Sequence, residues 1–299
     1  MTAEFKILGW LALALLAMEA GARVFEPKLS KDVAHVRSLA GLPAQLAPGK
    51  GGILVMGNSL ARCGVDGAGL SAARPGGPEV AFMVPDASAA IEWAWGYRRH
   101  VLRAGARPDL VILLTGRTHL LDPAVVQIPR LGAHHVAGGD RLTFMREELA
   151  GFDDRAEFVV ASVSRLFANR GRVQQLAFYG AVPGYETSVN RINIAAGGGF
   201  TAPRETGEPD RGLRNCARLI DSVRESGAKL VVVTSPLPEP WDLPESVAGL
   251  LREKSVPVIP LGAELRLPTE RFPDGYHLDP EGAEMATKVL AERLSQMGL

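Results

Sequence analysis

The chain has 299 residues, 46% hydrophobic and 22% charged, the profile of a folded globular protein rather than a disordered one. Lys and Arg total 33, as do Asp and Glu, so there is no basic excess to bind a phosphate backbone. Aromatics at 6% are also too few for a base-stacking platform, and nucleic acid is excluded as the main partner.

The N-terminal stretch MTAEFKILGWLALALLAMEAGARVFEP has one Lys ahead of an apolar run from Ile7 to Met18, then Glu19 and small residues. Three readings fit residues 1–25. They form a signal-anchor that holds the rest of the chain outside the inner membrane, a cleaved signal peptide with its site in AMEAGA, or an amphipathic first helix of the fold. The first two place the remainder in the periplasm or beyond. Residues 26–50 are rich in Gly and Pro and are expected to be a linker with one short helix.

From residue 51 onward, short apolar runs alternate with helical patterns. Strands are expected at Ile53–Met56, Val80–Val84, Leu110–Leu114, Leu230–Thr234 and Val256–Ile259, nearly continuous in apolar character as strands buried on both faces are. Helices are expected at Leu60–Ala73, Ala87–Ala104, Leu213–Ser226, Pro244–Lys254 and Glu281–Met297. The alternation implies right-handed βαβ units and a five-stranded parallel sheet covered on both faces, an α/β three-layer flavodoxin-like sandwich. About 123–210 no buried strand appears, and this segment is expected to be a mainly helical insertion, read as a lid over the carboxyl ends of the strands. The domain at 51–299 would carry it.

Several residues invite chemical readings. Ser59 follows the first strand and opens the first helix, a position that suits a helix cap and equally a nucleophile beside free backbone N–H groups. Near the other end, Asp274 stands three residues before His277, on a loop that opens on the same sheet edge. His277 would serve as the base that a serine hydroxyl requires, with Asp274 holding the imidazole. His119 is expected to be a hydrogen-bonded structural histidine or to line the pocket. Trp93 and Trp95 fall on the second helix, where Trp95 reads as core. His134 and His135 are adjacent and make poor joint chelators, and Gly197–Gly199 follow no strand, so neither metal nor cofactor is expected. Cys63 and Cys216 lie far apart without a Cys-x-x-Cys spacing and are either free thiols or one disulfide.

With these residues in hand, the chain resembles the SGNH (GDSL-like) hydrolase superfamily. MGNS at residues 56–59 is similar to that family's Gly-Asp-Ser block, with Asn58 in place of Asp, and Asp274, His277, Leu278 and Gly282 match its last block. The resemblance implies Ser59 as nucleophile, His277 as base and Asp274 as its partner. The middle blocks depart from the pattern: Asp86 or Ala87 stands where a glycine N–H would serve the oxyanion, with the Asp86 carboxylate expected to oppose it. In TGRTH, Gly116 matches, Thr118 replaces the asparagine donor, and Arg117 offers positive charge to a substrate or lid carboxylate. The resemblance further implies a serine esterase or O-acyl (acetyl) transferase working on an acyl ester, in particular an extracytoplasmic polysaccharide, with a membrane-embedded acyl-transfer partner. The eroded middle blocks leave a second reading open, a weak or inactive binding or accessory module of an envelope polysaccharide system.

Overall fold

In the computed structural model, residues 3–49, 52–121, 126–185, 187–188 and 209–299 are described. Gly197–Gly199 lie outside them. The chain forms two compact units, Ser38–Val126 with Asn193–Leu299, and Met1–Arg37 with Gln127–Ile192.

The larger unit is an α/β sandwich on a five-stranded, all-parallel sheet. Its strands are β1 (Ile53–Met56), β2 (Val80–Met83), β3 (Leu110–Thr115), β4 (Lys229–Thr234) and β5 (Val258–Ile259), in the order β2-β1-β3-β4-β5. That is the flavodoxin-like order, and all five expected strands are present. Alternation within the strands builds the layers. Leu54, Met56, Val111, Leu113 and Val232 point to one face, where they pack with Trp93, Leu219 and Leu251. Val55, Ile112, Leu114, Val231 and Val233 point to the other and meet Leu60, Leu70, Leu290 and Leu294. Both faces are apolar because both are covered by helices.

Helix boundaries differ from the sequence expectation at three places, one of them the helix expected from Leu213, which covers Pro209–Glu225. The expected helix Leu60–Ala73 is two helices, Ser59–Gly64 and Gly67–Ala72. Between them Val65 is extended, and Asp66 caps the second helix through Oδ1, which accepts from the Ala68 N–H at 3.0 Å. The expected helix Ala87–Ala104 begins only at Ala90, because residues 85–89 form the turn after β2, and it ends in a π-turn over Arg98–Leu102.

Residues 26–50, expected to be a linker, are mostly helical: Lys31–Ser38 and Leu42–Gln45 are α-helices joined by a 3-10 turn. Leu39, Leu42 and Leu46 are buried in the sheet unit's core, so residues 39–46 belong to that unit. Their spacing brings three leucines to one side of the turns, which outweighs the local Gly and Pro content.

The smaller unit combines helix Ala3–Leu29 with the helices of the insertion, among them Arg141–Glu148, Phe152–Val163, Arg165–Ala168 and Arg170–Ala181. Phe144 stacks on Phe158 at 4.7 Å, and Gly132 lets that helix approach so closely that a Cβ there would meet the Phe158 carbonyl at 2.7 Å. Glu26 is fully buried and accepts from Arg37 at 2.9 Å and Asn169 at 2.8 Å, with His134 Nε2 at 3.0 Å. Glu19 receives the backbone N–H groups of Arg165 and Leu166 and the Ser164 hydroxyl, at 2.8 to 3.0 Å. The N-terminal helix is therefore built into this unit at two carboxylates.

Candidate active site

β1 lies between β2 and β3, so the loops that leave its carboxyl end and that of β3 diverge, the position where open parallel sheets take their ligands. Gly57 allows the crowding there. Its φ is +153°, and a Cβ would meet the Leu114 carbonyl oxygen at 2.5 Å. The Gly57 carbonyl accepts from Trp93 Nε1 at 2.9 Å and from Ser88 Oγ at 3.1 Å, which fixes the turn before the serine.

Helix Ser59–Gly64 is capped by Asn58 and not by Ser59. Asn58 Oδ1 accepts from the Leu60 N–H at 3.0 Å, while its Nδ2 donates to the Ser88 carbonyl at 3.2 Å. Asn58 is buried, with both ends of its amide in use. This division of labour frees the Ser59 hydroxyl, whose Oγ lies 2.8 Å from His277 Nε2. On the far side of the ring, His277 Nδ1 is 2.7 Å from Asp274 Oδ2. With Asp274 ionised, Nδ1 carries the proton and Nε2 presents a lone pair to the serine.

A tight turn brings Asp274 under the ring. Gly275 has φ +77°, where a side chain would be strained, and Asp274 Oδ1 accepts from the backbone N–H groups of Tyr276 at 2.9 Å and His277 at 2.7 Å. Burial pushes the Asp274 carboxyl up, but these N–H groups and the imidazole outweigh it and hold the group below its usual range. Tyr276 sets its ring edge-on to His277 at 5.1 Å, and burial pushes its phenol up to about 12, so it stays neutral.

The surroundings differ from the sequence expectation at the middle blocks. Asp86 forms an ion pair with Arg62, Nη2 to Oδ1 at 2.5 Å, so its carboxylate does not stand as an uncompensated negative charge beside the serine. Gly116 is buried at the end of β3, but its N–H donates to His119 Nδ1 at 3.0 Å and is not open to an oxyanion. His119 is thus the hydrogen-bonded structural histidine. It is buried, with its ring near Trp93, and burial lowers it to about 4. Arg117 is exposed and Thr118 half-buried. Ala87 holds a left-handed backbone, φ +49°. Trp95 is buried beneath Arg218, as expected of a core residue. Cys63 and Cys216 are both free thiols, and burial pushes the Cys63 thiol up, which disfavours it as a competing nucleophile. Of the paired histidines, His134 serves Glu26, and no metal-ligating cluster occurs among the described residues.

Asn58, Ser88, Trp93 and Arg62 were not expected as supports of the serine. Arg62 alone left a trace in the sequence, three residues after Ser59 on the same helical face.

Two consequences are measurable. Ala87 sits where L-residues are costly by about 1 kcal/mol, so Ala87→Gly is expected to leave stability unchanged or slightly raised. Ala87→Val is expected to lower it by about 2 kcal/mol in urea unfolding, because a β-branched residue tolerates this backbone poorly. For His119, the folded value of about 4 lies below the ordinary 6.5. Its contribution is present above pH 6.5 and is lost as pH falls towards 4, up to about 3 kcal/mol in all. His119→Asn, which keeps an acceptor for Gly116, should flatten the acid branch of unfolding free energy across that window.

No family model matches the chain, and no curated protein does. Among solved structures, a candidate acylhydrolase from Bacteroides fragilis aligns over 87% of this chain and 96% of its own, with 13% identity and a TM-score of 0.40.

Proposed function

We propose that the chain is a serine esterase or O-acyl (acetyl) transferase that forms an acyl-enzyme at Ser59. The observation that carries this reading is the line of hydrogen bonds from Ser59 Oγ to His277 Nε2, at 2.8 Å, and from His277 Nδ1 to Asp274 Oδ2, at 2.7 Å. His277 takes the serine proton as Oγ bonds to the acyl carbon, and Asp274 stabilises the imidazolium that results. The imidazolium then returns that proton to the leaving alcohol, and the acyl group stays on Ser59. Water or a sugar hydroxyl next gives its proton to His277 as its oxygen bonds to the acyl carbon; the bond to Oγ breaks, the imidazolium returns the proton to Ser59, and the acyl group leaves as acid or as a new ester.

Stabilisation of the tetrahedral oxyanion falls to the N–H of Ser59 and to the turn at Asp86–Ala87, since Gly116 is committed to His119. Losing one such donor slows acyl transfer by about 100- to 1,000-fold, which supports a slow enzyme. A polysaccharide acyl group is the proposed substrate. An assay with an acetyl donor, run with and without a polysaccharide acceptor, separates hydrolysis from transfer. A fluorophosphonate probe should label the protein stoichiometrically. Absence of labelling in folded protein would instead favour the accessory-module reading.

Helix Ala3–Leu29 is long and apolar enough to cross a membrane, and its apolar stretch is not buried. We read it as a retained anchor with the remainder outside the inner membrane. Cleavage in AMEAGA would separate the membrane run from Glu26 and discard Glu19, whose carboxylate receives three hydrogen bonds from residues 164–166. Protein recovered from membranes should therefore begin at its original N-terminus by mass spectrometry.

A further inference from the structure

Helix Phe152–Val163 carries two apolar faces, and among the described residues one of them packs inside the smaller unit. Phe158 and Ala161 are buried inside the smaller unit. Phe152, Ala156, Val159, Val160 and Val163 recur at i, i+4, i+7, i+8 and i+11, a stripe along the other side. Four of these are exposed: Phe152 at 83%, Val163 at 61%, Val159 at 46% and Val160 at 41%.

The position of this stripe is fixed by the N-terminal helix. Arg23 donates to the Val163 carbonyl at 2.7 Å, and Glu19 holds the next three residues. Val163 thus lies level with Glu19–Arg23, where the helix leaves its unit. From there back to Ala3 every residue as far as Met18 is exposed, a rod of about 24 Å at 1.5 Å per residue. A bilayer's hydrocarbon core is about 30 Å thick. The free rod is too short to span it unless lipid extends past Met18 to the level of Glu19–Arg23, and there it meets Val163, with Val159 and Val160 one turn further back on the same helix face.

We infer that this stripe is a second membrane-contacting surface, seated in the lipid interface beside the anchor with its Val163 end deepest. The inference rests on the anchor reading given above. It supplies an occupant for the apolar face, and it makes the smaller unit a shoulder pressed on the bilayer rather than a body tethered above it. The charged residues Asp153 and Arg155 flank the stripe, as the borders of an interfacial helix face do.

The test uses the full chain in phosphatidylcholine–phosphatidylglycerol vesicles, with Cys63→Ser and Cys216→Ala removing the native thiols. An environment-sensitive NBD label is placed at Leu11→Cys, Val160→Cys, Val163→Cys or Asp154→Cys, the last lying on the opposite side of the same helix. Labels at 160 and 163 are expected to blue-shift and to lose about half their emission to nitroxide lipids labelled near the headgroup, with position 154 unaffected. If position 11 is quenched while 160 and 163 read as solvent, the helix is an anchor and the second surface is refuted. Shielding at 160 and 163 without lipid quenching identifies a protein partner or second copy, and also overturns the proposal. Absence of quenching at position 11 by lipids that carry the nitroxide deep in the acyl chain refutes the anchor reading itself, and the second surface with it.

Discussion

Replacement of Ser59 by alanine is expected to abolish fluorophosphonate labelling and to lower kcat for an aryl acetate by at least about 1,000-fold. His277→Ala should cost a similar amount, and the double variant little more than either alone. The two groups act as one unit, and a base without a nucleophile is as idle as a nucleophile without a base. Asp274→Asn should cost less, since Asp274 is half-exposed and water can replace part of its field. Fold retention is checked by near-ultraviolet circular dichroism, because Ser59 makes its side-chain hydrogen bond to His277 whereas the cap is Asn58. Equal, small losses at all three positions would contradict the acyl-enzyme mechanism.

The second large effect is expected at Glu26. Its carboxylate is wholly buried and is satisfied by Arg37, His134 and Asn169. Glu26→Ala removes the centre of this cluster and leaves cationic and amide groups facing a cavity, which typically costs about 3–5 kcal/mol. In detergent-solubilised full-length protein, limited proteolysis should then cut within the helices of the smaller unit, while fluorophosphonate labelling of Ser59 persists. Glu26→Gln retains the shape and one acceptor, and should fall between wild type and Glu26→Ala. Unchanged proteolytic resistance in both variants would show that the cluster contributes little to that unit.

The parts of the fold that were legible in the sequence are those set by short-range pattern. Five apolar runs became five parallel strands because a strand buried on both faces must be apolar at nearly every position. The catalytic candidates at opposite ends of the chain were also legible, since chain order in a βα series determines which loops share a sheet edge. What escaped was decided by contacts between distant residues. Whether Ser59 or Asn58 caps the helix depends on Ser88, whose carbonyl occupies the other end of the asparagine amide. The carboxylate of Asp86 looked adverse until Arg62 met it, and the commitment of the Gly116 N–H to His119 left no mark in the sequence. The helical character of residues 26–50 was obscured by glycine and proline, although Leu39, Leu42 and Leu46 mark one side of it.

The contacts of Glu19 and Glu26 also bear on the order in which the protein is made. Asn169, the partner of Glu26, is separated from it by 143 positions, and Arg165 from Glu19 by 146. A chain emerging N-terminus first exposes both acidic groups long before these distant partners arrive, with Arg23 and Arg37 the partners close to them in sequence. The helix must therefore wait for residues 164–169 before these contacts close. The segment 38–126 is synthesised during that wait, yet its sheet remains incomplete until β4 and β5 arrive. The two units are thus interleaved in sequence, and His277 follows Ser59 by 218 positions. Neither unit can close until sequence synthesised after the other's first segment has arrived.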